Sequence, residues 1–260
     1  MTSPLKIATW NVNSIRARKE RVLAWLSAQQ PDVLCVQETK VTDDVFPHEE
    51  LASVGYQAAI HGQKTYNGVA LITREPVADV VRGFGDQGDD SQARFIGGTV
   101  AGVRVFSAYI PNGSSLGSDK YQYKLQWLAR LRRFLDTHES ADTPMVLCGD
   151  WNVAPDERDI HDPLLWEGEV LCTDAERAAL QRIVDWGFRD TFRMHCQEAG
   201  KFSWWDYRML GFPKNKGLRI DHIYATETLA STCSESTIHR DERKGKGASD
   251  HAPVIALFQR

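Results

Sequence analysis

Lys6-Ile7-Ala8-Thr9-Trp10-Asn11 and Asp32-Val33-Leu34-Cys35-Val36-Gln37 are short β-rich runs. Between them Val22, Leu23, Trp25 and Leu26 mark one face of a helix from about Ser14 to Gln29. Near-continuous apolar runs of this length belong to strands buried on both faces. The same rhythm continues outward: Gly68-Val69-Ala70-Leu71-Ile72, Thr99 to Tyr109, Met145-Val146-Leu147-Cys148, Leu218 to Tyr224 and Pro253 to Phe258 read as further strands. Tyr121, Leu125, Leu128, Leu131 and Leu135 mark a helix after Ser118. Thr173-Asp174-Ala175-Glu176 is a capping box that opens a third, toward Trp186. Gly97-Gly98 and Pro111-Asn112-Gly113 supply turns. The expectation is an α/β domain, its sheets covered by helices.

No Pro/Ser/Gly linker, repeat or low-complexity stretch divides the 260 residues, so a single domain over 1–260 is expected. A chain this long buries about three quarters of its unfolded surface and needs neither metals nor disulfides for stability. No run approaches the ~18 apolar residues of a membrane span, and Met1-Thr2-Ser3-Pro4-Leu5-Lys6 leads straight into the first strand with no signal peptide. The five cysteines are widely spread and free of any CxxC, which suits reduced thiols in a cytoplasm and argues against a zinc site. The formal net charge of -4 speaks against nucleic acid as a partner.

What stands at the strand ends is more informative. Asn11 ends the first strand and Glu38 follows the second. Tyr109 and Asp150 end two middle ones, with Asn152 just beyond. Asp221 lies in a late strand, and Asp250-His251 precedes the last. Singly, each is an ordinary turn or capping residue. Together they can converge, because ligand groups in α/β sheets gather at one sheet edge. The set has no soft ligand, and its oxygens suit a hard divalent ion such as Mg²⁺. A spare Asp to orient water and a His to donate to a phosphoryl oxygen complete a kit for hydrolysing a phosphate ester.

Six ordered strings carry a resemblance. They are Ala8-Thr9-Trp10-Asn11-Val12-Asn13-Ser14-Ile15-Arg16, Gln37-Glu38-Thr39-Lys40, Tyr66-Asn67-Gly68-Val69-Ala70, Tyr109-Ile110-Pro111-Asn112-Gly113, Gly149-Asp150-Trp151-Asn152-Val153-Ala154-Pro155 and Ser249-Asp250-His251-Ala252-Pro253. The chain resembles the exonuclease III / AP endonuclease branch of the endonuclease/exonuclease/phosphatase superfamily. Phe202-Ser203-Trp204-Trp205-Asp206-Tyr207-Arg208 and Asn215-Lys216-Gly217-Leu218-Arg219-Ile220-Asp221-His222 select that branch. The resemblance implies a four-layered α/β sandwich, two mixed β-sheets packed face to face with helices outside. It implies a Mg²⁺-dependent DNA-repair nuclease, with Mn²⁺ as the alternative ion. Such an enzyme cuts double-stranded DNA at abasic sites and at 3′ ends, as a cytoplasmic monomer of bacterial type.

The resemblance also implies roles. Glu38 is the metal ligand, with Asn11 close by and Asp250 nearby. Asp150 orients or deprotonates the attacking water and is held by Asn152; Tyr109 donates to the phosphate or the leaving oxygen. His251, hydrogen-bonded to Asp221, stabilises the pentacovalent phosphorane, and that carboxylate raises its pKa. Trp204, Leu218 and Ile220 wall a pocket for a base-less sugar, and Arg219, Asn112 and Lys120 complete the substrate-binding set. His161 is expected beside the scissile phosphate, where it hinders a flipped abasic nucleotide and favours trimming of 3′ ends. Asn13 stands where some relatives carry Asp, and Gln92-Ala93-Arg94 departs from a Glu-Gly-Arg version, so Arg94 receives no role.

Gly113-Ser114-Ser115-Leu116-Gly117 satisfies G-x-S-x-G, which makes an α/β-hydrolase esterase with Ser115 as nucleophile the competing reading. Pro111-Asn112 separates that serine from its strand, and the esterase reading leaves Glu38, Asp150 and Asn152 idle. The net charge, finally, conceals segments. Residues 201–220 hold five basic residues against Asp206, and 115–133 hold five against Asp119; residues 150–178 hold nine acidic against Arg158 and Arg177. The basic blocks are expected to line a DNA groove, where phosphate contacts make binding salt-sensitive.

Overall fold

The computed structural model describes residues 4–86, 88 and 91–260, so the expectation placed on Met1-Thr2-Ser3 lies outside the described residues. The strands are β1 (Leu5–Asn11), β2 (Val33–Gln37), β3 (Gln57–His61), β4 (Val69–Thr73), β5 (Ala78–Arg82), β6 (Phe95–Val100), β7 (Val103–Tyr109), β8 (Met145–Asp150), β9 (Phe188–Asp190), β10 (Asp221–Thr226), β11 (Cys233–Ile238) and β12 (Val254–Phe258). The helices are α1 (Ile15–Gln29), α2 (His48–Ser53), α3 (Asp119–His138), α4 (Pro163–Trp166), α5 (Asp174–Val184), α6 (Thr191–His195) and α7 (Glu227–Ala230). Ser14, Ser118 and Thr173 cap α1, α3 and α5, the last with the reciprocal Glu176 contact read from the sequence.

Two mixed sheets of six strands result, ordered β11-β12-β1-β2-β4-β3 and β5-β6-β7-β8-β10-β9. Each is centred on one parallel pair joined by a long helix, β1–α1–β2 in the first and β7–α3–β8 in the second. Alternation along the strands sorts the layers. Leu5, Ile7, Val33 and Cys35 face Val105, Val146, Cys148 and Ile223 across the space between the sheets. Their neighbours Ala8, Trp10, Leu34 and Val36 turn outward against Trp25, Leu26 and Leu51 of α1 and α2. On the other side Phe106, Met145 and Leu147 meet Trp127, Leu131, Leu180 and Ile183 of α3 and α5. The four-layered sandwich, two mixed sheets face to face with helices outside, is therefore the fold.

One expected strand is two. The run from Thr99 to Tyr109 is broken at Ala101 (φ 50°) and Gly102 (φ 79°), with Val100 paired to Val103. Two consecutive left-handed residues make the tight turn whose twist matches antiparallel strands. Leu218 to Ile220 precede β10, and Leu218 bridges Trp204 and Ile160 instead. Among the described residues no helix is long and apolar enough to cross a membrane.

Candidate active site

The inward parity that builds the central core also builds the site. Asn11 follows Ile7 and Thr9 on the inner face of β1, Asp150 follows Val146 and Cys148 on β8, and Asp221 precedes Ile223 on β10. Asp150 is in register with both Tyr109 and Asp221. Both parallel pairs thus present their C-terminal ends at one mouth of the inter-sheet space. Just inside lies a polar layer, in which the Gln37 amide donates to Thr9 Oγ1 (3.0 Å) and Ser107 Oγ (3.0 Å) across the two sheets.

His251 is fixed from both ends. Its Nδ1 is 2.9 Å from Asp221 Oδ2, and its Nε2 is 3.7 Å from Asp150 Oδ2. Asp221 in turn accepts from Ser203 Oγ at 2.7 Å. Burial would lower the imidazole pKa, but Asp221 and Asp150 outweigh it and push it up to about 10. Asp150 is raised to about 7 by burial, against the pull of His251 and with the repulsion of Asp221 and Glu38 behind it.

Asn11 ties the two sheets' acids together, its amide donating to Glu38 Oε1 (2.9 Å) and Asp150 Oδ2 (2.9 Å). Tyr109 OH donates to the same Glu38 oxygen at 2.8 Å. Lys40 Nζ lies 2.7 Å from Glu38 Oε2 and donates to Asn13 Oδ1, while Asn13 Nδ2 donates to Asp250 Oδ1 at 2.9 Å. Trp204 Nε1 takes the other Asp250 oxygen at 3.0 Å. Burial alone would raise both carboxylates, yet Lys40 and Asn11 hold Glu38 below its ordinary range, and His251, Trp204 and Asn13 do so for Asp250. Burial, Glu38 and Asp150 lift the Tyr109 phenol well above its usual value, so it remains a donor. Glu38 (φ 53°) and Asn152 (φ 49°) adopt the left-handed backbone that non-glycine residues avoid, a cost carried where side chains must be aimed.

These groups open on a cavity of about 730 Å³ lined by Glu38, Tyr109, Asn112, Asp150, Asn152, Asp250 and His251, with Trp166, Leu171, Trp204 and Ile220 as its apolar wall. A second, more apolar cavity between α6 and β11 holds none of them. The structure brings eight sequence-named residues to one mouth: Asn11, Glu38, Tyr109, Asp150, Asn152, Asp221, Asp250 and His251. Asn112, Trp204 and Ile220 line the cavity beside them.

Four substrate residues fall elsewhere. Leu218 is fully buried behind the wall, and Lys120 is exposed on the first turn of α3, away from the cavity. Arg219 is 1% exposed and forms ion pairs with Asp159 and with Asp190 (2.8 Å), so its guanidinium has no path to a ligand. His161 does not line the cavity. Its Nδ1 contacts Gly217 O at 3.2 Å and its ring meets Trp166 edge-on, so Trp166 stands where His161 was expected. The basic blocks shrink accordingly, since Lys124, like Arg219, is buried in an ion pair, with Glu176. Lys40 and Asn13, which the sequence gives no role, link Glu38 to Asp250. Trp166, which ends the four-residue α4, and Leu171, in a turn, had no signal at all.

The donor chemistry fits a hard cation. Glu38, Asp150, Asp221 and Asp250 are four carboxylates facing two cations, Lys40 and His251, an excess of negative charge that a cation would offset. Ligand atoms of Asp150, Asp221 and His251 lie within 4.8 Å of one another, a possible metal site by spacing. An imidazolium cannot ligate, however, and the oxygens facing the cavity, Glu38 and Asp250 foremost, suit such an ion better. The competing serine reading finds no support: Ser115 lines the same cavity, but the two ring nitrogens of His251 are turned to Asp221 and Asp150.

Residues 8–251 match the model of the Endonuclease/Exonuclease/phosphatase family. Exodeoxyribonuclease III of Haemophilus influenzae is 36% identical over 267 residues, covering 98% of this chain and all of that one. Among solved structures, an AP endonuclease from Archaeoglobus fulgidus aligns with TM-score 0.95 at 39% identity, covering 98% of this chain and 100% of that one. A 3′ phosphatase, NExo, from Neisseria bound to product DNA hairpin aligns with TM-score 0.94 at the same identity and coverage. With the fold, the site and these likenesses in agreement, the chain belongs to the exonuclease III / AP endonuclease branch of the endonuclease/exonuclease/phosphatase family.

Proposed function

We propose that this protein is a DNA-repair nuclease that hydrolyses phosphodiesters of double-stranded DNA at abasic sites and at 3′ ends, as a monomer in a bacterial-type cytoplasm. The observation that carries the reading is His251 held between Asp221 and Asp150 at the mouth of an acid-rich cavity. Asp150, titrating near 7, is poised to orient a water and take its proton at neutral pH. His251 keeps its proton through the physiological range and donates Nε2–H to a phosphoryl oxygen as charge builds there. Tyr109 donates its hydroxyl to the phosphate or to the departing oxygen. Glu38 and Asp250 would hold Mg²⁺, or Mn²⁺ in its place, with Asn11 fixing the Glu38 carboxylate. Such an ion supplies charge neutralisation at the phosphate. Attack is in line and in one step, with no covalent intermediate.

Trp204, Ile220, Trp166 and Leu171 offer an apolar wall to a sugar without its base, and Asn112 and Asn152, which line the same cavity, would donate to the phosphate. Recognition then rests on damage and backbone shape more than on base sequence. Labelled duplexes carrying an internal abasic analogue, a recessed 3′ end and a 3′-phosphate, each assayed with Mg²⁺ and with EDTA, test the reading. Cleavage with Mg²⁺ and none with EDTA is expected. Activity that survives EDTA and is lost in Ser115→Ala would overturn it.

A further inference from the structure

Beneath the two asparagines of the cavity lies a charged pair that the chemistry above does not use. Lys124 of α3 and Glu176 of α5 are both fully buried and joined Nζ to Oε1. An ammonium has three protons to donate. The other two partners of Lys124 are main-chain carbonyls, Asn152 O at 2.6 Å and Asn112 O at 3.2 Å. These residues follow β8 and β7, so one nitrogen ties together the exits of the parallel pair of the second sheet. Their side chains are tied as well, with Asn112 Nδ2 donating to Asn152 Oδ1 at 3.1 Å.

Glu176 holds the opposite wall. Besides Lys124, its carboxylate accepts from Leu171 N (3.1 Å), Thr173 N (3.0 Å) and Thr173 Oγ1 (2.7 Å). Leu171 and Asn152 both line the cavity, and both are left-handed without being glycine, at φ 82° and 49°. Such conformations persist only where surrounding bonds over-determine them. Asn152 has four such bonds: its N–H donates to Asp150 Oδ1 (3.0 Å), its amide to Ile110 O (2.9 Å), its carbonyl accepts from Lys124, and its Oδ1 accepts from Asn112. The first of these leads directly to the carboxylate that faces the water. A buried ion pair is a poor source of stability compared with an apolar replacement, so its geometry is the more informative property.

We propose that Lys124 and Glu176 are positioning residues for the hydrolysis, holding Asn112, Asn152 and Leu171 so that Asp150 and the apolar wall meet the same phosphate and sugar. This rests on the nuclease reading of the site. The pair acts on the placement of reacting groups and not on the affinity for DNA, so the loss on breaking it falls on kcat.

The test compares Lys124→Met/Glu176→Gln, which removes both charges together, with Tyr121→Phe, which breaks only the neighbouring Tyr121 OH···Thr173 contact between α3 and the α5 cap. Thermal unfolding, KM and kcat are measured for each on an abasic duplex with Mg²⁺. The double variant is expected to keep KM within about threefold while kcat falls about ten- to a hundredfold, the range that small misplacement of reacting groups produces. Tyr121→Phe is expected to retain kcat. Glu176→Gln alone, which keeps the shape of the side chain but removes its charge and one of its two acceptor oxygens, guards against a double variant that does not fold, and its kcat is expected to fall about three- to tenfold. A folded double or single variant with wild-type kcat overturns the proposal, as does an equal loss in Tyr121→Phe. A wild-type protein that cuts none of the duplexes overturns the nuclease reading itself, which separates the two failures.

Discussion

Asp221 and His222 are neighbours on β10, and each belongs to a buried charged cluster, yet the two clusters behave in opposite ways. Asp221 points inward and meets His251 at the mouth between the sheets. His222, of the other parity, points outward, where Arg219 Nη1 lies 2.8 Å from its Nδ1 and Asp159 and Asp190 close around Arg219. Burial and Arg219 push His222 down to about 4, whereas carboxylates push His251 up to about 10. The outward cluster is closed and its charges compensated, with Asp159 and Asp190 both held below their ordinary range by Arg219 against burial. The inward cluster is acid-rich and opens on a cavity. Residue type does not separate the histidine proposed to act on the phosphate from the supporting one; the sign of the neighbouring charge and access to the cavity do.

The largest expected effect breaks the inward cluster. Asp150→Asn keeps the shape of the side chain and removes its ability to accept a proton. Single-turnover incision is expected to slow by about a thousandfold or more, about 4 kcal/mol of barrier, with DNA affinity changed by less than about threefold. A comparable loss of rate and affinity would assign Asp150 to binding.

Breaking the outward cluster should show in stability instead. Arg219→Met leaves Asp190 without its cation and Asp159 with Arg193 alone, and removing one member of a buried ion pair costs about 3–5 kcal/mol. Denaturant unfolding should register that loss while kcat of the folded fraction stays near wild type. A drop in DNA affinity at unchanged stability would return Arg219 to the substrate-binding role expected from sequence.

That misplacement shows where the sequence was legible. The central strands β1, β2, β4, β7, β8, β10 and β12 announced themselves because burial on both faces demands apolar runs. The four strands with no signal, β3, β5, β9 and β11, are the sheet edges. Gln57-Ala58-Ala59-Ile60-His61 or Cys233-Ser234-Glu235-Ser236-Thr237-Ile238 need satisfy only a half-exposed surface, and a mixed composition does that. The site was legible where polar residues interrupt apolar strands at their ends. Arg219 sits in the same string as Asp221, and sequence adjacency hides that successive side chains leave a strand on opposite faces. Trp166 and Leu171 were invisible because a four-residue helix and a turn are too short for a periodicity from which an inward face can be read.

Acid offers a finer separation of the two clusters. A histidine whose folded pKa is about 4 against 6.5 unfolded binds fewer protons when folded. The unfolded state therefore gains between those values, and stability falls as pH drops from 6.5 through 4. The span corresponds to about 3 kcal/mol. His222→Gln keeps a donor and an acceptor but cannot titrate. Asp159 and Asp190 lose stability in the same direction in both proteins, so the difference between the two urea-derived curves isolates the histidine. Wild type is expected to lose about 3 kcal/mol more than the variant across that window; parallel curves would show His222 is not buried neutral.

The smallest effect concerns a residue that belongs to neither cluster. His161 does not line the cavity; its ring contacts Gly217 O and meets Trp166, which does line it. Removing the ring in His161→Gly leaves Trp166 and the 204–220 wall in place. The ratio of abasic incision to 3′-phosphate removal is therefore expected to change by less than about threefold, roughly 0.6 kcal/mol of differential barrier. A tenfold gain in abasic incision alone would mean that Trp166 moves once its neighbour is gone. The boundary of the cavity would then be set by the pair, with His161 the support and Trp166 the surface the nucleotide meets.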